Sequence, residues 1–509
     1  MNKHSTSKIF MTINKLFETQ SKIKNRKHKA NRMASAIIGL IQNNDVKLSS
    51  LSRHNQNSKT FKIISLEQNS RRMLDNPGIP IEIYAKALVF DILHLTKLEV
   101  IIDRTNWQDG HSDINYFVAS VIWNDIAIPL YWIMLDNNGG SSNNQQRISL
   151  IKWIVEVFGS DVISCVYADR EFPSYQFLNY LILDERTCSE YIALDSYNAN
   201  KLYSFCNIDK YNKLATTTDI KLSSIKDFLN LEQPLTIIDT NTELILAEIL
   251  ENSVIRLYPM IFTNQYNKLK YEHNFLYKTF KLNSIFLAQI FKGFTTKEAI
   301  KFFTRAKAST LVSDGSKTMT IAELCKDLQN KNPQTIIGKD IRRAFGHRLY
   351  LSSKLNYKGE LICIISNHYS ANPFQEYKRR WFIETMFAKL KSFGFNLEST
   401  HITNLARLSN LFLLVSIAYL CCCKIGMFIH TKIKPITKKH LYTVDGLDKE
   451  YRLEYSVFRL GLELLKNYCH NHLFSGAIVA KLLHKILDCN IDKLKPPKRS
   501  QAFKLLGSF

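Results

Sequence analysis

Apolar and polar positions alternate in blocks along this chain, and the blocks predict an α/β fold. Four apolar runs predict strands, at Val100–Asp103, Tyr116–Trp123, Ile126–Leu135 and Val162–Asp169. Helical spacing of the apolar residues predicts helices at Arg147–Phe158 and Ser174–Leu183. Three strands followed by a helix, a strand and a helix are expected to build a buried sheet.

The N-terminal part of the chain has a helical and basic pattern. An apolar-periodic segment at residues 33–42 is followed by a short unit at Val46–Arg53, a rhythm typical of a helix-turn-helix. In that interpretation Arg53, Lys59 and Lys62 are candidate contacts to phosphates. A basic helical bundle that does not read base sequence explains the same pattern equally well.

A single helix with an unusual charged face is predicted at Tyr377–Lys391. At about 100° per residue it places Tyr377, Arg380, Glu384 and Lys391 within about 60° of arc. The apolar residues of the segment lie mostly on other faces and can dock into a core. The charged face is therefore expected to meet an anionic partner together with a metal ion.

Two aspartates complete a candidate metal site. Asp103 and Asp169 each end a predicted buried strand, which is where α/β sheets place their ligands. With Glu384 they form a set of hard oxygen ligands suited to Mg²⁺ or Mn²⁺. Taken singly, the two aspartates are explained equally well as strand-end caps, and Glu384 as a solvated surface charge.

The chain has the composition of a folded protein and is strongly basic. Its 509 residues are 45% hydrophobic, which excludes a disordered chain, and its formal charge of +23 indicates a polyanionic partner. Residues 1–90 hold 16 Lys and Arg against 5 Asp and Glu, so the surplus is concentrated there. An AT-rich genome, which increases Lys, Asn and Ile, is the alternative explanation of the overall charge.

No export signal, membrane span or zinc motif is expected from the sequence. The N-terminus lacks the apolar segment of a signal peptide, and the ten cysteines form no CxxC pair and no Cys/His spacing suited to zinc. They are interpreted as reduced thiols of a cytoplasmic protein. The apolar stretch Leu411–Ile429 is interrupted by Lys424 and is predicted to be a buried core helix.

Four short motifs, in this order along the chain, carry a family resemblance. They are DRTNW from Asp103, DREF from Asp169, the Arg-Trp-x-Ile-Glu run that ends at Glu384, and GFNLESTHIT after it. Together with the Tyr-x2-Arg-x3-Glu-x6-Lys spacing of the predicted charged helix, they make the chain resemble a DDE transposase of the insertion-sequence-four type. The resemblance covers roughly residues 85–185 and 300–430.

The resemblance implies an α/β fold with an RNase H-like catalytic core, a helical basic N-terminal domain and a large, partly β-rich insertion. The expected regions are a DNA-binding domain at 1–92, the first part of the core at 93–184, an additional insertion at 185–300, a core strand and β-rich insertion at 301–366, the catalytic helix and core completion at 367–430, and a helical C-terminal region at 431–509. An RNase H-like strand order would make Asp103 and Asp169 neighbours.

The implied activity is DNA transposition by metal-dependent cleavage and strand transfer. Asp103, Asp169 and Glu384 would be the catalytic residues and would hold two Mg²⁺ or Mn²⁺ ions for in-line displacement at a phosphodiester, with Asp103 bridging the ions. The implied protein is bacterial, cytoplasmic and nucleoid-associated, and it has no membrane partner. It would act as a homodimer in a synaptic complex on double-stranded transposon ends and target DNA.

The resemblance also implies the DNA contacts. Tyr377, Arg380 and Lys391 are expected to hold phosphates of the transposon end, and Trp381 is expected to stack on an unpaired base. Relatives that cut through a DNA hairpin use a further Trp in the β-rich insertion, but this chain has no Trp between Trp153 and Trp381. The cleavage route therefore stays open. Two other functions also stay open, a related RNase H-fold nuclease and an inactivated DNA-binding remnant.

Overall fold

A computed structural model describes residues 26–52, 63–136, 140–182, 191–194, 235–239, 245–250, 254–257, 261–263, 268–270, 279–281, 300–313, 317–326, 341–356, 358–441, 450–470, 486 and 490–497. The candidate phosphate contacts Arg53, Lys59 and Lys62 lie outside these residues. The chain divides into two compact units. The first comprises Met1–Ser142, Glu156–Phe158 and Arg379–Phe509, and the second comprises Asn143–Val155 and Gly159–Lys378.

The described elements up to residue 182 follow in the order α1 (Arg26–Asn43), α2 (Leu48–Ser52), α3 (Ile63–Asp75), α4 (Ile81–Lys86), a π-helix (Ala87–Ile92), β1 (Leu98–Asp109), β2 (Ser112–Trp123), β3 (Ile126–Met134), α5 (Asn144–Phe158), β4 (Ile163–Ala168) and α6 (Tyr175–Ile182). Seven short strands follow, β5 (Tyr191–Leu194), β6 (Leu235–Asp239), β7 (Ile245–Leu250), β8 (Val254–Leu257), β9 (Ile261–Thr263), β10 (Lys268–Lys270) and β11 (Thr279–Lys281).

The remaining elements are β12 (Phe302–Ala306), β13 (Leu311–Ser313), β14 (Thr318–Thr320), α7 (Ile321–Leu324), β15 (Ile341–Ala344), β16 (His347–Leu355), β17 (Leu361–Ser366), α8 (Pro373–Lys378), α9 (Trp381–Leu390), α10 (Leu405–Lys432), β18 (Lys438–Leu441), β19 (Glu450–Leu453) and α11 (Val457–His470). Helices and strands come mostly in consecutive runs, and the fold is a mixed α/β fold with a large sheet.

The sheet of the first unit is an antiparallel meander of β1, β2 and β3. β1 and β2 pair continuously up to a tight turn that contains Gly110, whose φ is +59°, a conformation that glycine adopts without strain. β2 is buried along its length from Ile114 to Trp123. A near-continuous apolar run of this kind is what a strand covered on both faces requires.

Helix α10 is the most deeply buried helix described in the first unit. All residues from Leu411 to Ile429 are buried, and Asn404 caps its N-terminus by accepting a hydrogen bond from the backbone nitrogen of Arg407 at 3.0 Å. The buried Lys424 donates through Nζ to the backbone oxygen of Ile92 at 2.8 Å. By length and composition α10 could cross a membrane, but its apolar stretch is wholly buried inside the protein.

The second unit contains a sheet with the strand order β14-β13-β15-β16-β17-β12-β4. β12 pairs with β4 in parallel and with β17 in antiparallel orientation. A separate five-stranded sheet has the order β11-β8-β7-β6-β5. The parallel β4–β12 pair fixes the position of the residues that follow β4, because one edge of the pair is then shared by the ends of both strands.

Two predicted boundaries are wrong. β1 does not end at Asp103 but continues to Asp109, because residues after Asp103 stay paired with β2 up to the tight turn. The predicted single helix from Tyr377 to Lys391 is two helices, α8 and α9, separated by a turn at Arg379 and Arg380. At this turn both arginines pair with carboxylates on β1.

Candidate active site

In the first unit a buried arginine joins two carboxylates that are far apart in the sequence. Arg380 donates through Nη1 to Oδ2 of Asp103 at 3.1 Å and through Nη2 to Oε1 of Glu384. The side chain of Arg380 is 9% exposed, against 15% for Asp103 and 35% for Glu384. Two carboxylates therefore share one desolvated cation, an arrangement in which charge-assisted hydrogen bonds are strong.

Helix α9 is held along one face of β1 by the residues at both of its ends. Before its first turn, Arg379 pairs with Glu99 and Arg380 with Asp103, and these two acids lie on the same face of β1 because they are four residues apart. The buried residues Ile383, Met386, Phe387 and Leu390 anchor the other side of the helix. Glu384 lies in the first turn, where the helix dipole favours a negative charge.

Lys391 lies just after α9 and contacts the DRTNW segment of β1. Its Nζ donates to the backbone oxygen of Asn106 at 3.0 Å, pairs with Glu398 at 2.8 Å, and lies 5.3 Å from the ring centroid of Trp107. Trp107 in turn stacks on Tyr116, with 5.5 Å between the ring centroids. The ammonium group is thus held by a carbonyl, a carboxylate and an aromatic face.

Trp381 is the most exposed candidate residue. It is 61% exposed, and the guanidinium of Arg380 lies 5.9 Å from the centroid of its ring. The neighbouring Ile383 is fully buried, so the helix turns Trp381 away from its packed side. An exposed aromatic ring beside a cation has the chemistry needed to stack on a base.

In the second unit, Asp169 and Tyr377 form the other contact among the candidate residues. Asp169 directly follows β4, as the sequence predicted, and the hydroxyl of Tyr377 lies 3.3 Å from its Oδ1 and 3.2 Å from the backbone oxygen of Ala168. Thr304 of β12 donates through Oγ1 to the backbone oxygen of Asp169 at 3.3 Å. A tyrosine from α8 and a threonine from the adjacent strand therefore hold the end of β4.

The fold brings the candidate residues together in two sets. Asp103, Arg380 and Glu384 form the set of the first unit, and Asp169 and Tyr377 form the set of the second. Within the described parts of the chain, no group of three or more His, Cys, Asp or Glu side chains is arranged to hold a metal ion. The carboxylate oxygens of Asp103 and Glu384 are of the chemical type that Mg²⁺ and Mn²⁺ prefer, and in this structure they accept hydrogen bonds from the guanidinium of Arg380.

Sequence reasoning missed several residues that support these sets. Arg379 and Glu99 were not singled out, although Arg379 stands next to Arg380 and Glu99 lies four residues before Asp103. Thr304 was also missed, since its contact to Asp169 depends on a parallel strand pair that no local pattern indicates. The Arg-Arg dipeptide was the available signal for the first pair, and no sequence signal indicated the threonine.

Comparison with known families identifies one region of the chain. Residues 264–421 match the family model described as "Transposase DDE domain". The match supports a DDE transposase. It covers less than half of the chain, includes Tyr377, Arg380, Glu384 and Lys391, and ends inside α10, while Asp103 and Asp169 both lie outside it.

Comparisons with individual proteins add little. No curated protein matches the chain. Among solved structures, the chain aligns with the cryo-EM structure of a piggyBac transposase synaptic complex with hairpin DNA, at 8% identity and a TM-score of 0.30 over 97% of this chain and 83% of that chain. A TM-score this low establishes no common fold.

Proposed function

We propose that this chain is the transposase of a bacterial insertion sequence of the insertion-sequence-four type. It binds the terminal inverted repeats of its element and catalyses metal-dependent cleavage and strand transfer of DNA. The observation that carries the proposal is the contact between Arg380 and Asp103, residues 277 positions apart, which brings Asp103 and Glu384 onto one buried cation. A homodimeric synaptic complex at the bacterial nucleoid is part of the same proposal.

Asp103, Asp169 and Glu384 are assigned as the catalytic carboxylates that hold two Mg²⁺ or Mn²⁺ ions. Bound divalent ions supply charge stabilisation at the phosphodiester and activate the attacking oxygen. The protein supplies the placement of the ligands. Arg380 orients one oxygen of Asp103 and one of Glu384, while Tyr377 orients Oδ1 of Asp169.

The DNA contacts are assigned to Tyr377, Arg380, Trp381 and Lys391. Lys391 and Arg380 carry the positive charge that a phosphate needs, and Trp381 offers an exposed ring for stacking. Arg380 has two roles in this proposal. In the structure its guanidinium neutralises Asp103 and Glu384, and it would be available to a phosphate if those carboxylates held divalent ions.

The experiment is a cleavage and strand-transfer assay on DNA that carries the element's own ends, with Mg²⁺ or Mn²⁺ added. Asp103→Asn, Asp169→Asn and Glu384→Gln are each expected to abolish cleavage and joining. DNA binding, measured by fluorescence anisotropy, should stay equal to wild type or become tighter, because each change removes a negative charge. Asp125→Asn is the matched control, since Asp125 is exposed in the β2–β3 turn at φ +58°, a conformation that Asn tolerates.

The results separate the proposal from its alternatives. Cleavage that persists in any of the three carboxylate variants contradicts the assignment of that residue. Cleavage without joining of the 3′ ends to target DNA indicates a nuclease in place of a transposase. DNA binding without cleavage by the wild-type chain indicates an inactive remnant.

A further inference from the structure

The β15–β16 hairpin of the second unit holds two arginines directly opposite each other. Its turn is the dipeptide Phe345–Gly346, in which both residues have positive φ, 51° and 77°, as in a type I′ hairpin. Ala344 pairs with His347 across the turn, and the next pair in the register is Arg343 with Arg348. Both arginines are exposed.

The face of the β15–β16 hairpin opposite Arg343 and Arg348 is buried, and this burial fixes the register of the two strands. Ala344, His347 and Leu349 are 3%, 2% and 1% exposed, and burial lowers the pKa of His347 to about 4. A slip by one residue would turn arginine side chains into the core and these three residues towards solvent. The arginines must therefore point outward, but packing does not require them to be arginines. Like charges directly opposite each other weaken a sheet.

The pair belongs to a line of four side chains that crosses four strands. Arg343 is opposite Ser313 of β13, and Ser313 is opposite Thr318 of β14. Since residues opposite in register share a face, Thr318, Ser313, Arg343 and Arg348 form one line, called here the arginine row. At about 4.8 Å between strands the row spans about 14 Å. Four phosphates of one DNA strand, at about 3.4 Å per step along the axis, cover about 10 Å, so the row is long enough to meet them.

The surroundings of the row are basic and contain aromatic rings. Tyr350 lies on the same face two residues after Arg348, and its ring contacts Tyr369, which is 42% exposed, with 5.8 Å between the centroids. By sequence, residues 300–378 include 13 Lys and Arg against 6 Asp and Glu. Of these acids, Glu323 caps α7 and Glu360 bonds to Asn356 within its own turn.

We propose that the arginine row binds the phosphate backbone of double-stranded DNA. Two guanidiniums and two hydroxyls are the side-chain types that contact phosphates without reading bases. The inference rests on the proposed function in that DNA is the substrate, and it adds contacts to those of Tyr377, Arg380, Trp381 and Lys391.

The test compares two double variants of the full-length chain. Arg343→Gln/Arg348→Gln removes both charges of the row, and Lys301→Gln/Lys358→Gln removes two charges from exposed positions of the same unit outside the row. Binding of a labelled duplex of random sequence, about 30 base pairs long, is followed by fluorescence anisotropy from about 50 to about 300 mM salt. Thermal unfolding is measured on the same samples.

The row variant is expected to bind more weakly, with a log-log salt slope shallower by about two. Its Tm should stay close to that of the wild type, because both replaced side chains are exposed. Arg343→Lys/Arg348→Lys should keep the wild-type slope. If Arg343→Gln/Arg348→Gln and the control Lys301→Gln/Lys358→Gln have the same affinity and the same salt slope, the row is not a DNA contact. A wild-type chain that binds no duplex would instead contradict the proposed function itself.

Discussion

At the scale of single residues, Arg380 is the residue on which the site depends. Its guanidinium lies between Asp103 and Glu384, so it prevents two negative charges from facing each other in a poorly solvated place. The neighbouring Arg379 makes a similar pair with Glu99, but its side chain is 38% exposed and that of Glu99 30%. The two adjacent arginines therefore offer a direct comparison of a buried guanidinium and a half-exposed one.

Arg380→Met is expected to destabilise the protein by about 2–3 kcal/mol. The change keeps most of the aliphatic stem but leaves two carboxylates without their cation, and removing one partner of a fully buried pair costs about 3–5 kcal/mol. Arg379→Met should cost less than about 1 kcal/mol, as exposed pairs do. Chemical denaturation measures both. Millimolar Mn²⁺ should increase the free energy of unfolding of Arg380→Met more than that of the wild type, since the carboxylates of the variant lack a cation.

Equal losses of stability in Arg380→Met and Arg379→Met would contradict this account of Arg380. So would an Arg380→Met protein whose stability does not respond to Mn²⁺. The second result would also weaken the proposed role of Asp103 and Glu384 as metal ligands, whereas the first concerns the ion pair alone.

At the scale of elements, α10 and α11 cross at two glycines in close contact. A Cβ atom added to Gly426 would lie 1.9 Å from the backbone oxygen of Val457, and one added to Gly461 would lie 1.8 Å from the backbone oxygen of Cys422. The obstacles are backbone atoms of the facing helix, which cannot move aside as a flexible side chain could. The crossing therefore requires glycine on both helices.

Gly426→Ala and Gly461→Ala should each destabilise the protein by about 3 kcal/mol or more, because overpacking forces two helix backbones apart. In an ordinary helix, replacing Gly by Ala stabilises the protein by up to about 1 kcal/mol. A destabilising effect would therefore indicate the close helix crossing. Thr431→Ala, at the exposed end of α10, is the control and should change stability by less than about 0.5 kcal/mol. A stabilised Gly426→Ala protein would contradict the close crossing.

Sequence reasoning predicted the elements better than their ends. The first four strands and the buried α10 were predictable because their apolar residues are concentrated in runs. The extension of β1 beyond Asp103 was not, since residues 104–109 are mostly polar and stay in the strand through pairing with β2. The break between α8 and α9 was hidden for a similar reason. No helix breaker stands at Arg379, and its partner Glu99 is distant in sequence.

The candidate site was predictable to a different degree for each residue. Asp103, Asp169 and Glu384 could be selected because short motifs surround them. The pairing of Arg380 with two of the carboxylates could not, because a helical projection places side chains on a face but does not reveal what that face meets. The arginine row was equally hidden, since Ser313 and Arg343 become neighbours through strand register alone.

At the scale of the whole molecule, the positive charge is concentrated in more than one region of the sequence. The chain carries a formal charge of +23, residues 1–90 hold a large share of it, and the described residues between 300 and 378 hold another. Charge of this size acts on any polyanion, whatever its sequence. The affinity of the chain for DNA is therefore expected to have a large component that does not depend on base sequence.

This component should appear as a steep dependence of binding on salt. Each neutralised phosphate contributes about −0.9 to the log-log slope, so contacts spread over more than one basic region predict a slope of about −4 or steeper for a duplex of random sequence. The measurement is a salt titration of the wild-type chain by fluorescence anisotropy. A duplex with an uncharged methylphosphonate backbone is the control and should bind weakly at every salt concentration. If the random duplex bound equally well from about 50 to about 300 mM salt, or if the uncharged duplex bound as tightly, the net charge would not be the source of DNA affinity.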